Sequence, residues 1–217
     1  MKSIFMLLIF SSLTYSQSEF MTGNNLGIGA AYTYSANDIS KSSSVEGVIT
    51  FIGTIDLSLQ FSTGTVDING KTKSSSTTFH FAFNLKRHNP TLNIKFLLGY
   101  QAGSIEENYN NAKMNSSGFL VGAGFYPTFI KSQSFFWMGA IELLYGFNSV
   151  APANVPQNSK PIDTRMISVG FNLGSTILPR FILVLSPFIS KDLINEEISV
   201  FYGISARMIF SFGLIEQ

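Results

Sequence analysis

Only two histidines occur in the 217 residues, His80 and His88, and cysteine is absent. Hydrolysis by a serine nucleophile needs a hydroxyl, an imidazole and an orienting carboxylate within hydrogen-bond reach. His80, in "TFHFAFNLK", has serines near it in sequence, but serine is abundant throughout the chain, and His88 falls in the turn "RHNPT". No spaced histidine pair and no cysteine are available for a metal centre. The glycine-bearing stretches "GNNLGIGA" and "GFLVGAG" open no helix, so they do not read as phosphate-binding loops. The sequence therefore identifies no catalytic, cofactor-binding or metal-ligating residue, and the expectation is a protein that is not an enzyme.

A different set of polar residues stands out. Asp56, His80, Lys86, Lys95, Glu142 and Arg207 sit inside otherwise apolar alternating segments, accompanied by Gln60, Asn84, Asn93 and Gln101. Both signs of charge are present, so these groups can neutralise one another in a hydrogen-bonded network, whereas an unpaired buried charge is costly. Glu142 is the sharpest case, the single charge in "FFWMGAIELLYGF". The cation expected to answer it is Arg207 or Lys95.

The elements that position these residues follow from periodicity. Large apolar residues recur at every second position: Phe79, Phe81, Phe83 and Leu85 in "TFHFAFNLK", and Leu92, Ile94, Phe96, Leu98 and Tyr100 in "LNIKFLLGYQA". Successive side chains of a strand point to opposite faces, so each segment has a greasy face and a small or polar one. Ten such strands are expected, over 25–35, 44–52, 54–64, 76–87, 91–103, 116–127, 134–147, 164–175, 180–191 and 197–213; the alternatives are one long bent strand in place of the second and third, and a count of eight. Connections after the even-numbered strands are tight, as in "IGT" and "RHNPT". Those after the odd-numbered strands are expected to be longer polar loops, among them 62–75, 104–115 and 148–163.

Composition says which face meets what. Charged residues are 12% of the chain, about half the ~25% usual in soluble domains, while phenylalanine occurs 21 times. That is too little charge to clothe a water-facing exterior, and the polar face is mostly Gly, Ser, Thr, Ala and Asn, which suit a crowded interior. A soluble barrel with its apolar face inward would show the reverse. Thirteen extended, tilted residues of "FFWMGAIELLYGF" rise roughly 30 Å, close to a bilayer core. Phe135 and Trp137 mark one rim, and Tyr145 and Phe147 the other. The formal net charge of +1 gives no reason to expect a nucleic-acid partner. The N-terminal "MKSIFMLLIFSSLTYSQ" has a positive start, a short apolar middle and small residues Thr14 and Ser16 before Gln17. It reads as a secretory signal over 1–16, followed by one barrel domain over 17–217.

These features resemble small bacterial outer-membrane β-barrels of the OmpA, OmpX and OmpW type, and the outer-membrane β-barrel domain proteins common in Bacteroidota. The likeness is carried by the signal, by paired strands such as "ITFIGTIDLSLQF" and "VGFNLGSTILPRFILVLSPFIS", and by the closing "ARMIFSF". It implies an all-β, single up-and-down antiparallel transmembrane β-barrel located in the outer membrane. Expected partners are outer-membrane lipid, the barrel-insertion machinery and an extracellular ligand of unknown identity; no cofactor is expected. The implied role is structural or surface-interacting, through the polar loops, with side chains plugging the bore. The alternative is a narrow channel or hydrophobic-solute conduit. Members often end on an aromatic residue; here Phe212 is followed by "GLIEQ".

Overall fold

The computed structural model describes residues 26–67, 71–85, 91–107, 112–132, 134–153, 160–178, 180–194 and 200–212. The predicted signal segment, Lys86 and His88 lie outside these described residues. Ten strands run in chain order: β1 Gly27–Ala36, β2 Ser40–Phe51, β3 Ile55–Asp67, β4 Lys71–Asn84, β5 Leu92–Glu107, β6 Ala112–Lys131, β7 Phe135–Pro152, β8 Lys160–Leu178, β9 Phe181–Asp192 and β10 Phe201–Ser211. Each pairs antiparallel with its sequence neighbours, and β1 closes on β10. The chain is a closed, all-β, up-and-down barrel, with ten strands and not eight.

Register fixes the barrel's shape. Following cross-strand partners from Phe136 leads through Gly174, Val184, Arg207, Ala31, Glu46, Gln60, Thr78, Gln101 and Gly118. The path returns to β7 at Asn148, a displacement of twelve residues. A ten-stranded barrel with this shear has strands tilted about 40° and a backbone radius of about 10 Å. Residues far apart in sequence are thereby brought to one level of the bore, and side chains can fill it.

The alternation has a clear physical outcome. Outward positions expose Ile28, Tyr32, Leu59, Phe79, Phe96, Phe119, Leu143, Phe171 and Met208, among many others. From Tyr202 to Phe212 this apolar face climbs roughly 25 Å, given ~3.3 Å per residue and the tilt. Aromatic pairs gather at its two edges. Phe129 with Trp137 and Phe210 with Phe212 lie towards the rim where β1 begins; Tyr100 with Phe119 and Tyr145 with Phe147 lie towards the other.

Two expectations about connections need correction. The segment after β1 is a tight turn and not a long loop: Asn37 Oδ1 accepts the backbone N–H groups of Ile39 and Ser40, closing an Asx-type turn. The polar segments 62–75, 104–115 and 148–163 are largely strand, since β3 runs to Asp67, β5 to Glu107 and β7 to Pro152. Serine and threonine on both faces gave these segments a loop-like composition, yet they continue the ladders of the strands below. Within this extension Ile105 and Val150 pack with Met114 and Ile162, a small apolar cluster inside the upper wall. At the opposite rim Phe51 O accepts Thr54 N–H at 3.0 Å, and both central residues of that hairpin, Ile52 and Gly53, have positive φ of 54° and 56°. The twist of such a turn matches that of the flanking strands.

Candidate functional site

The bore has two halves of different chemistry. Along β6–β10 it is filled by Leu120, Tyr126, Met138, Leu144, Met166, Ile182, Val184, Phe188, Phe201 and Ile209, with Phe136 packed against them. Along β1–β5 it is lined by Ser42, Ser44, Glu46, Asp56, Ser58, Gln60, Thr78, His80, Lys95 and Gln101, all buried. Sequence sets the balance: the inward positions of β9 carry Ile182, Val184 and Phe188 beside Ser186, Ser190 and Asp192, whereas those of β2 and β4 are mostly Ser and Thr, with Glu46, Val48, His80, Ala82 and Asn84.

A polar crossbar joins the two halves. Lys95 on β5, Gly124 on β6 and Glu142 on β7 are successive register partners. Gly124 matters because the Tyr126 ring folds back over it; a Cβ there would sit 2.5 Å from the tyrosyl oxygen. The Tyr126 hydroxyl donates to Glu142 Oε1 at 2.5 Å, and the face of its ring lies 4.9 Å from Lys95 Nζ. Lys95 Nζ is also 3.9 Å from Asp56 Oδ2, reaching past β4 where Asp56 is paired with the small Ala82. Asp56 Oδ1 accepts the Thr50 hydroxyl at 2.5 Å. Thr50, Asp56, Lys95, Tyr126 and Glu142 thus form one chain of contacts from β2 to β7. Lys95 and Asp56 are each 2% exposed, so their attraction is little screened by solvent.

Arg207 has a different role from the one expected. Its guanidinium lies 3.6 Å from Glu46 Oε2, across Ala31, which pairs with both residues. Of the two cations expected for Glu142, Arg207 is placed against Glu46, and Lys95 stacks on the Tyr126 ring whose hydroxyl bonds Glu142. The helical climb of the register rows brings β10 beside β1 and β2 at Glu46, while β5 carries Lys95 towards the Tyr126–Glu142 pair. Glu46 was missed as a candidate. Its signal lay in "SVEGVITF", where it shares the inward face with Thr50. Lys86, named with this network, lies outside the described residues.

His80 stands apart from the crossbar. Its Nδ1 is 3.4 Å from Ser58 Oγ, and among the described residues no carboxylate bonds the ring. The pair lacks the third group that would orient the imidazole for nucleophilic catalysis. Among the described residues no three His, Asp or Glu side chains converge as a metal site. What the arrangement does chemically is pair charges inside the bore: Lys95 faces Asp56 and Arg207 faces Glu46, and in each case the intervening strand carries an alanine that lets them meet.

No protein-family model matches the sequence, and no curated protein matches it. Solved structures do. The translocator domain of autotransporter NalP from Neisseria meningitidis is 13% identical, with 89% of this chain and 90% of that chain covered and a TM-score of 0.57. The β domain of the Bordetella autotransporter BrkA is 7% identical over 88% of this chain and all of that one, with a TM-score of 0.50. At such identities the likeness is one of fold: this chain builds the same kind of closed barrel as those domains.

Proposed function

We propose that the protein is a small outer-membrane β-barrel of the OmpA, OmpX and OmpW kind, non-enzymatic, which presents its tall hairpins to the cell exterior. In this reading residues 1–16 direct export, the barrel-insertion machinery places the chain in the membrane, and lipid covers the apolar wall. The rim where β1 begins and β10 ends faces the periplasm. The hairpins within 62–75, 104–115 and 148–163 stand above the outer leaflet as an interaction surface. A closed barrel supports this because every ladder is bonded between strands and no edge is left for hydrocarbon to desolvate.

What supports the functional reading is the crowding of the bore by buried side chains. An apolar cluster occupies one half, and the Asp56–Lys95–Tyr126–Glu142 crossbar reaches from the other half into it. Ten-stranded barrels have little room beyond their side chains, so the role is assigned to the hairpins and not to transport. Reconstitution into planar bilayers tests this. The expected result is no stable unitary conductance; discrete, long-lived channels would instead support a narrow conduit along the polar β1–β5 half.

A further inference from the structure

We propose that the outer wall between β5 and β8 carries a binding groove for one anionic lipid, its acyl chain lying on Ala123 and its phosphate held by Arg165 and Lys191. This rests on the reading that the wall faces a bilayer. A groove of about 570 Å³ elsewhere on the wall is lined mainly by apolar side chains, and the one cation in its lining, Arg207, is buried and engaged with Glu46 in the bore. The groove proposed here has a volume of about 470 Å³ and differs in having a cation at its upper end.

Its floor is a matter of side-chain size. In one register row Phe96, Ala123 and Leu143 are neighbours, so a methyl group lies between two large outward side chains. In the next row up, Val121 pairs with Tyr145 and Tyr145 with Arg165. The Arg165 guanidinium lies over the Tyr145 ring, 5.3 Å from its centroid. The tyrosyl hydroxyl donates to Asp163 Oδ2 at 3.2 Å, so the nearby carboxylate is engaged with the hydroxyl. Leu193 N–H bonds to Arg165 O at 2.7 Å, securing the top of β9 against β8. Lys191 pairs with Ile167, diagonal to Arg165 on the same outward face, within reach of two long side chains that converge on one group.

Among the described residues, neither Arg165 nor Lys191 forms an ion pair. Two cations on an apolar wall, level with Tyr145 of the upper aromatic belt, sit where headgroup phosphates lie. Charge complementarity thus selects an anionic headgroup, and the apolar groove below selects a lipid over a soluble phosphate. A second copy of the chain presenting the same face would oppose like charges.

Native mass spectrometry of the full barrel from detergent, supplied with equimolar phosphatidylglycerol and phosphatidylcholine, tests the proposal. The wild type should retain one phosphatidylglycerol, favoured about tenfold over phosphatidylcholine. Arg165→Gln with Lys191→Gln should abolish the preference, Arg165→Lys should keep most of it, and Ala123→Leu should reduce retention of either lipid. An undiminished preference in the double glutamine variant would overturn the proposal, as would displacement of the lipid by free glycerol phosphate or a dimer free of lipid. A barrel that does not insert into vesicles at all would instead refute the membrane reading; an inserted barrel without lipid preference refutes only the groove.

Discussion

Removing the Lys95 ammonium is the perturbation that most clearly separates a filled bore from a water-filled one. In Lys95→Met the stem remains and the charge goes, leaving Asp56 at 2% exposure with its ammonium partner lost from 3.9 Å. At that separation the attraction is about 4 kcal/mol for an effective dielectric constant near 20, and close to 1 kcal/mol in bulk water. Stacking of the ammonium on Tyr126, 4.9 Å away, adds up to about 2 kcal/mol when desolvated. Part of this is offset because Lys95 no longer has to be desolvated, so a net loss of about 3–5 kcal/mol is expected for breaking a buried pair. Reversible urea unfolding in detergent, followed by tryptophan fluorescence and by the gel shift of the folded barrel, measures it. Asp56→Asn added to Lys95→Met should restore much of the loss, because the carboxylate that faced the Lys95 ammonium is then no longer a buried charge without its cation. A loss under about 1 kcal/mol, the range of solvent-exposed pairs, with no recovery in the double variant, would refute the reasoning and indicate a hydrated bore.

Three further changes probe other parts of the account. Glu142→Ala deprives the buried Tyr126 hydroxyl of its acceptor and should lower stability by about 1–3 kcal/mol; an unchanged unfolding midpoint in detergent would count against the contact. Gly174→Ala places a Cβ against the inward-facing Phe136 ring and should cost about 1–3 kcal/mol, with most of the penalty gone in a Phe136→Ala background, read by thermal unfolding of the four-member cycle. Ile52 holds a φ of 54° that β-branched residues avoid, so Ile52→Asn should raise stability by about 1 kcal/mol; a fall would mean that the isoleucine side chain contributes more at the rim than its backbone strain removes.

The barrel was legible because its determinants are local. Alternation in "TFHFAFNLK" or "FFWMGAIELLYGF" assigns faces residue by residue: Phe79, Phe81 and Phe83 are exposed, while His80 and Glu142 are buried. Gly139 also lies on the outward side, but it is buried beneath Pro127 and Phe129 near the register shift in β6. Strand ends were less legible. Ser74–Ser76 and Ser116–Ser117 have no apolar face, so nothing in their pattern announces that ladders continue above the apolar band. The network residues could be placed on the inward face from sequence, but their partners could not. Which cation meets which carboxylate depends on the twelve-residue shear and on the small residues between them, Ala31 beneath Arg207–Glu46 and Gly124 beneath Tyr126. Tyr126 falls near the end of the expected strand 116–127, with nothing in the sequence to mark it as the group that holds Glu142.

Fractionation of cells producing the full chain, with each fraction run boiled and unboiled on a denaturing gel, tests the central claim most directly. The account predicts a protein confined to the outer-membrane fraction whose unboiled form migrates faster than the boiled one, as an intact closed barrel does. A protein recovered soluble in the periplasm, with the same mobility before and after boiling, would contradict it.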